Sequence, residues 1–118
     1  MKMIRAIVRP EREVQVVQAL ERIGEYALTK VAVTGRGRQG GLQSGPLSHA
    51  EIAKVMFIIV VAEERADAIV TTIAHAAYTG FPGDGRIFVS PVEKAVRLRT
   101  GEILESSNSV LENGHVNA

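Results

Sequence analysis

Two strand–helix–strand halves in one chain, an α+β fold with an antiparallel sheet and both helices on one face, are what this sequence predicts. Three observations carry that prediction. Moving the chain by 53 positions lays Ile7-Val8 on Val60-Val61, Glu11-Arg12 on Glu64-Arg65, and Val16, Val17 and Leu20 on Ile69, Val70 and Ile73. Apolar residues recur with strand spacing and with helical spacing in alternate segments. Glycine or proline marks most of the joints between them.

Residues 3–8 form a mostly apolar run and read as the first strand. Pro10 follows where its missing N–H costs least, in the first turn of a helix, and Glu11 and Glu13 suit the positive end of the helix dipole. Val14, Val17 and Leu20, with their neighbours Val16 and Ile23, keep helical spacing, while Gln15, Gln18, Glu21 and Arg22 face outward. Gly24 ends this helix. Residues 27–34 alternate with β-branched side chains and read as a strand. In the next segment, five of the eleven residues 35–45 are glycine. No core can form there, so a mobile loop is expected over residues 36–50. Residues 54–61 are a dense apolar run and read as a central strand. Glu63 and Glu64 open a second helix, whose inner face is Ala66, Ile69, Val70, Ile73 and Ala77. A glycine-rich turn over 79–86 leads into a short strand over 86–89, and 91–94 makes a further turn. Residues 95–99 read as one more extended piece, with Val96 and Leu98 on one face and Arg97 and Arg99 side by side on the other. The order is βαββαβ, the split βαβ or ferredoxin-like arrangement. With helices on one side only, the other sheet face needs cover, and an oligomer packing its sheets around an axis is expected. Residues 103–118 are polar and read as a disordered tail beyond a domain over 1–102.

At 118 residues the chain is long enough for one domain, and 46% hydrophobic content supplies a core. The formal charge of +1 gives no support to a nucleic-acid partner or an anionic membrane surface. Without cysteine there is no disulfide framework, thiol catalysis or thiolate zinc site, which fits a reducing cytoplasm. No run of about 18 apolar residues is present to span a membrane. His49, His75 and His115 are too far apart in the sequence to share a metal motif. No nucleophile–base set or paired carboxylates stand in a telling context, so the chain is not expected to be an enzyme.

What stands out is an inventory for binding an anion. In Thr79-Gly80-Phe81-Pro82-Gly83-Asp84-Gly85-Arg86, glycine brings backbone N–H groups near a ligand, Asp84 sets the turn, and Arg86 adds a fixed cation. Gly35, Gly37 and Arg38 form a second cluster, and Arg97 and Arg99 a third. Guanidinium groups match phosphate oxygens in pairs. The Gly35 stretch has the glycine spacing of a dinucleotide fingerprint, but no helix is predicted to start there, and no Gly-Lys-Ser or Gly-Lys-Thr of a P-loop is present.

These residues resemble the signature of the PII signal-transduction proteins. The stretch Thr79-Gly80-x-x-Gly83-Asp84-Gly85-Arg86-Ile87-Phe88-Val89-Ser90-Pro91-Val92-Glu93 carries it, followed by Arg97-Leu98-Arg99-Thr100-Gly101-Glu102. Ile4-Arg5-Ala6-Ile7-Val8-Arg9-Pro10 and Gly35-x-Gly37-Arg38-Gln39 extend it to the front half. The resemblance implies a homotrimer with ATP or ADP between neighbouring subunits, and 2-oxoglutarate sensed together with Mg-ATP. Carried over by position, Gly83, Asp84, Gly85 and Arg86 hold phosphates from one subunit, joined by Arg97 and Arg99 of the next. Gly35, Gly37, Arg38 and Gln39 form the base of the protruding T-loop, with Arg38 on the phosphates and Gln39 on Mg. Lys54 pairs with a 2-oxoglutarate carboxylate, and Thr29 lies where adenine is contacted.

The opening residues and Gly35-Arg36-Gly37-Arg38-Gln39 look more like the nitrogenase-associated branch of the family. The implied role is a cytoplasmic, non-enzymatic regulator of a protein partner in nitrogen metabolism, nitrogenase or an ammonium channel, reaching a membrane only through such a partner. The T-loop is shorter than usual and has no tyrosine, so uridylylation is not expected. Tyr78 replaces a common arginine, Ile58 a common glutamate, and Gly40 a frequent lysine. Alternatives are an atypical PII-like regulator of another transporter or a carbon-related process, a weak ATPase, and a purely structural trimer of the same fold.

Overall fold

The computed structural model describes residues 1–36 and 51–104. The expected loop, apart from Arg36, and the tail from 105 onward lie outside the described residues, as do Gly37, Arg38 and Gln39. The elements run β1 Lys2–Val8, a 3₁₀ turn Pro10–Arg12, α1 Glu13–Arg22, β2 Thr29–Gly35, β3 Ile52–Val61, α2 Glu63–Ala77 and β4 Gly85–Pro91. Two short strands follow, β5 Ala95–Val96 and β6 Ile103–Leu104. The main sheet has the order β2-β3-β1-β4 with every neighbour antiparallel. That is the ferredoxin-like α+β arrangement expected from the repeat.

Side-chain alternation divides the sheet cleanly. Ile4, Ala6 and Val8 of β1 and Phe57, Ile59 and Val61 of β3 are buried in one cluster with residues of both helices. The helical members repeat the internal echo: Val16 and Leu20 of α1 correspond to Ile69 and Ile73 of α2, and all four are fully buried. The expected α1 face is corrected at its ends. Val14 is 61% exposed and Ile23 39% exposed, because the 3₁₀ turn delays the α-helix to Glu13 and the buried stripe is one turn shorter. Gly24 does terminate α1, at φ 82°, in a Schellman arrangement: Glu25 N–H donates to Leu20 C=O at 2.9 Å and Gly24 N–H to Glu21 C=O at 3.0 Å.

The helix-free face carries Met3 and Ile7 of β1, Met56, Ile58 and Val60 of β3, Val31 and Val33 of β2, and Phe88 of β4. Phe88 is 48% exposed and Val31 38%. An apolar sheet face of this width with no helix over it meets the condition on which an oligomer was expected.

The C-terminal part differs from the expected extended piece. Only Ala95 and Val96 are strand, and residues 98–100 form a turn closed by Gly101 N–H on Arg97 C=O at 2.8 Å. Arg97 and Arg99 therefore do not lie side by side on a strand. Ile103 and Leu104 return antiparallel to β5, and Leu104 packs with Met1 and Ala62 in a second small cluster. Ile103 and Leu104 thus extend the described structure to two residues beyond 102. What draws those residues in is Leu104, the buried apolar side chain at the end of an otherwise polar stretch.

Candidate functional site

The turn after α2 is built around one carboxylate. Asp84 Oδ2 accepts the N–H groups of Thr79 and Gly80, both at 2.9 Å, and Oδ1 accepts the Thr79 hydroxyl and, at 2.9 Å, Arg9 Nε. The Thr79 hydroxyl in turn accepts Phe81 N–H at 3.2 Å. Hydrogen bonds from the Thr79 hydroxyl, the Thr79 N–H and Arg9, with a smaller one from Gly80, hold the Asp84 carboxyl well below the usual carboxylate range against the opposing effect of burial. Asp84 is consequently ionised, and its oxygens are taken up by its own loop together with Arg9. It organises the turn and leaves no lone pair aimed at a ligand.

Two cations, Arg9 again and Lys54, pin the turn from outside. Arg9 Nη2 donates to Pro82 C=O at 2.7 Å and to Phe81 C=O at 3.4 Å, and Lys54 Nζ donates to Gly83 C=O. Burial first, and the charge of Arg9 second, push the Lys54 ammonium below the ordinary lysine range, with Glu11 and Asp84 opposing. Gly85 is where the chain passes from the turn into β4. It sits at φ 108°, and a Cβ there would lie 1.8 Å from Ile7 C=O, so no other residue fits against β1.

The result is an open cleft of about 470 Å³ at the Val8 end of the sheet, within the usual range for small-ligand sites. Gly35, Lys54, Gly83, Asp84, Gly85 and Arg86, all expected site residues, line it together, with Arg36 beside them. Apolar walls come from Ile7, Ile52, Phe81 and Phe88. Arg86 has no hydrogen-bond or ion-pair partner among the described residues. A cleft lined by a free guanidinium, a partly desolvated ammonium and glycine backbone is chemically suited to anionic oxygen.

The remaining expected residues are elsewhere. Thr29 opens β2, opposite Ile58, and is exposed outside the cleft. Arg97 and Arg99 lie by the small β5–β6 sheet, which packs near Met1 and Ala62 at the opposite end of the main sheet. β1 alone separates those ends by about 20 Å at ~3.3 Å per residue. The three basic clusters do not converge within one chain. Arg97 is instead paired with Glu102 at 3.0 Å. Tyr78, 68% exposed, lines an adjoining depression of about 270 Å³ with Ile73, Ala77 and Ile87, which shares Ile7, Asp84, Gly85 and Arg86 with the main cleft.

Sequence reasoning missed Arg9 as a functional position. A signal was present, since Arg9 directly follows Val8, the last residue of a strand otherwise mostly apolar. The register of Val8 against Gly85, which places that guanidinium over the turn, is visible only in three dimensions. Among the described residues no three His, Cys, Asp or Glu side chains stand together as a metal site, and no helix is long and apolar enough to cross a membrane.

Comparison with known proteins matches residues 1–102 to the family model described as nitrogen regulatory protein P-II. A nitrogen fixation nifHD1 region GlnB-like protein 1 of Methanosarcina barkeri is 48% identical over 102 residues, covering 86% of this chain and 97% of that one. The nifHD region GlnB-like protein 1 of Methanothermobacter marburgensis is 49% identical with the same coverage. Among solved structures, Arabidopsis thaliana PII bound to citrate superposes with a TM-score of 0.73 at 38% identity, over 88% of this chain and 85% of that one.

Proposed function

The chain belongs to the nitrogen regulatory protein P-II family, and we propose that it is a non-enzymatic sensor of adenine nucleotides that controls a partner protein. One observation carries the reading: a turn held rigid by Asp84 and Arg9 beside a cleft in which Arg86 has no acid to neutralise it among the described residues. The phosphates of ATP or ADP sit against Gly83, Gly85 and Arg86. Arg97 and Arg99 arrive from a neighbouring copy in a homotrimer, because they cannot reach the cleft of their own chain. The apolar helix-free face supports that assembly.

Lys54 supplies a cation for a carboxylate ligand, 2-oxoglutarate, and the citrate bound to the Arabidopsis relative supports a carboxylate as a ligand. Gln39 would help hold the Mg²⁺ that accompanies the nucleotide. Differential affinity for these ligands shifts the T-loop, residues 36–50, between arrangements that accept or refuse the partner. Relatives named for the nifHD region support nitrogenase as that partner, ahead of an ammonium channel or another transporter. The protein works in the cytoplasm.

Calorimetric titration of the purified protein with ADP, ATP and Mg-ATP plus 2-oxoglutarate tests this reading. Nucleotide binding that Arg86→Ala weakens by about tenfold or more is expected for the loss of a charge-assisted contact. Absence of binding by both nucleotides overturns it.

A further inference from the structure

Along the seam between β1 and β4, three guanidinium groups stand in sequence on or beside the helix-free face. Arg86 pairs in register with Ile7, so its diagonal neighbours are Arg5 on β1 and Arg9 just past the end of that strand. Diagonal positions on one sheet face are about 7–8 Å apart, within common reach of two arginine side chains. The three differ in how their charge is met. Arg9 is neutralised by Asp84. Arg86 and Arg5 have no hydrogen-bond or ion-pair partner among the described residues, and both are exposed in the single chain.

Arg5 is the harder of the two to explain as a solvated surface charge. It is flanked in register by Ile58 on β3 and Phe88 on β4, in the middle of the apolar face that the oligomer covers. The strand positions sharing that face contain no Asp or Glu on any of the four strands. The strands of a second copy packing through the same face therefore bring no carboxylate to it. Burying a guanidinium without a counter-charge is strongly unfavourable, whereas an anion held between two guanidinium groups offsets that cost. Phe88 lines the cleft and pairs in register with Arg5, which places Arg5 beside the cleft's inner wall, next to its lining residues and not among them.

We propose that Arg5 and Arg86 form a two-guanidinium clamp that extends the phosphate cleft inward along β1 and β4 and selects polyphosphate over monophosphate ligands. The clamp deepens the nucleotide reading and rests on it. Its chemistry is that of a multiply charged phosphate chain: the glycine turn and Arg86 take one phosphate, and Arg5 adds charge that only a longer chain meets.

The test compares wild type, Arg5→Met and Arg5→Lys. Binding of AMP, ATP and inorganic tripolyphosphate is followed by calorimetry, with sedimentation and thermal melting of the ligand-free protein alongside. Arg5→Met is expected to weaken ATP and tripolyphosphate by about tenfold while AMP changes by less than about twofold, and Arg5→Lys to recover most of the loss. The ligand-free Arg5→Met oligomer melts at the same or a higher temperature, because an unneutralised buried cation has been removed. Equal losses for AMP and tripolyphosphate, or no loss at all, overturn the clamp while leaving the nucleotide reading standing. A lower melting temperature or a dissociated Arg5→Met oligomer also overturns it, by showing that protein groups of the oligomer already meet the Arg5 charge. If wild type binds none of the three probes, the nucleotide reading falls and the clamp falls with it.

Discussion

Gly85 is the residue of the cleft with the least freedom to change. Its φ is 108°, and a methyl group at this position would stand 1.8 Å from Ile7 C=O, so Gly85→Ala must separate β4 from β1 where the turn is anchored. Urea unfolding of Gly85→Ala is expected to show a loss of about 3 kcal/mol or more, from backbone strain and overpacking together. Asp84 acts through the turn and not on the ligand. Asp84→Asn is expected to weaken nucleotide binding about tenfold, because one amide cannot accept four donors as the carboxylate does. Lys54 carries a pH dependence whose sign follows from its lowered pKa. In the folded chain its charged form is disfavoured relative to the unfolded chain, so Lys54 costs stability wherever both forms are protonated. That cost disappears as pH rises from the lowered value toward the ordinary one. Anion affinity runs the other way. Titrations across the alkaline range should show carboxylate binding falling as Lys54 deprotonates, at a lower pH than an ordinary lysine gives, and Lys54→Met should remove the dependence.

Among the elements, α2 does most to position the site, since the turn leaves from its last residue. Arg12 fixes that end: its Nε and Nη2 both donate to Ala76 C=O, at 3.0 and 2.8 Å, satisfying a carbonyl that the helix itself leaves open. Chemical denaturation of Arg12→Ala is expected to show about 1–2 kcal/mol less stability, a charged hydrogen bond discounted for partial exposure. The elements also show what local sequence can and cannot convey. α2 was legible down to its buried residues, since Ala66, Ile69, Ile73 and Ala77 keep one helical stripe from end to end. For α1 the same periodicity overreached, because Val14 follows a 3₁₀ turn whose geometry shifts the stripe. Arg97 and Arg99 alternate in sequence as strand residues do, yet Gly101 closes a turn over them, and a two-residue strand leaves no pattern to detect. In the site, Gly83, Gly85 and Arg86 were legible because turn chemistry is local. Arg9 was not, because its role depends on the β1–β4 register, a contact across 75 positions.

At the scale of the molecule, the single chain leaves two surfaces unfinished. Its core lies between the sheet and two helices, and its opposite face is apolar without cover; its cleft has one wall, and the arginines that resemble the other wall sit at the far end. Both needs are met by the same rotation of copies about an axis. Sedimentation is expected to give a particle of about 38 kDa, three times the 12.7 kDa chain, and a monomer would contradict the assembly. The most direct measurement is complementation between two damaged cleft walls. Arg86→Ala and Arg99→Ala chains, each weak in ATP binding alone, are co-expressed with different tags and the mixed oligomer is isolated. Tight binding is expected to return in about one site in three, where an intact Arg86 of one copy faces an intact Arg99 of its neighbour. Mixed oligomers that bind ATP no better than either parent would contradict a cleft shared between copies.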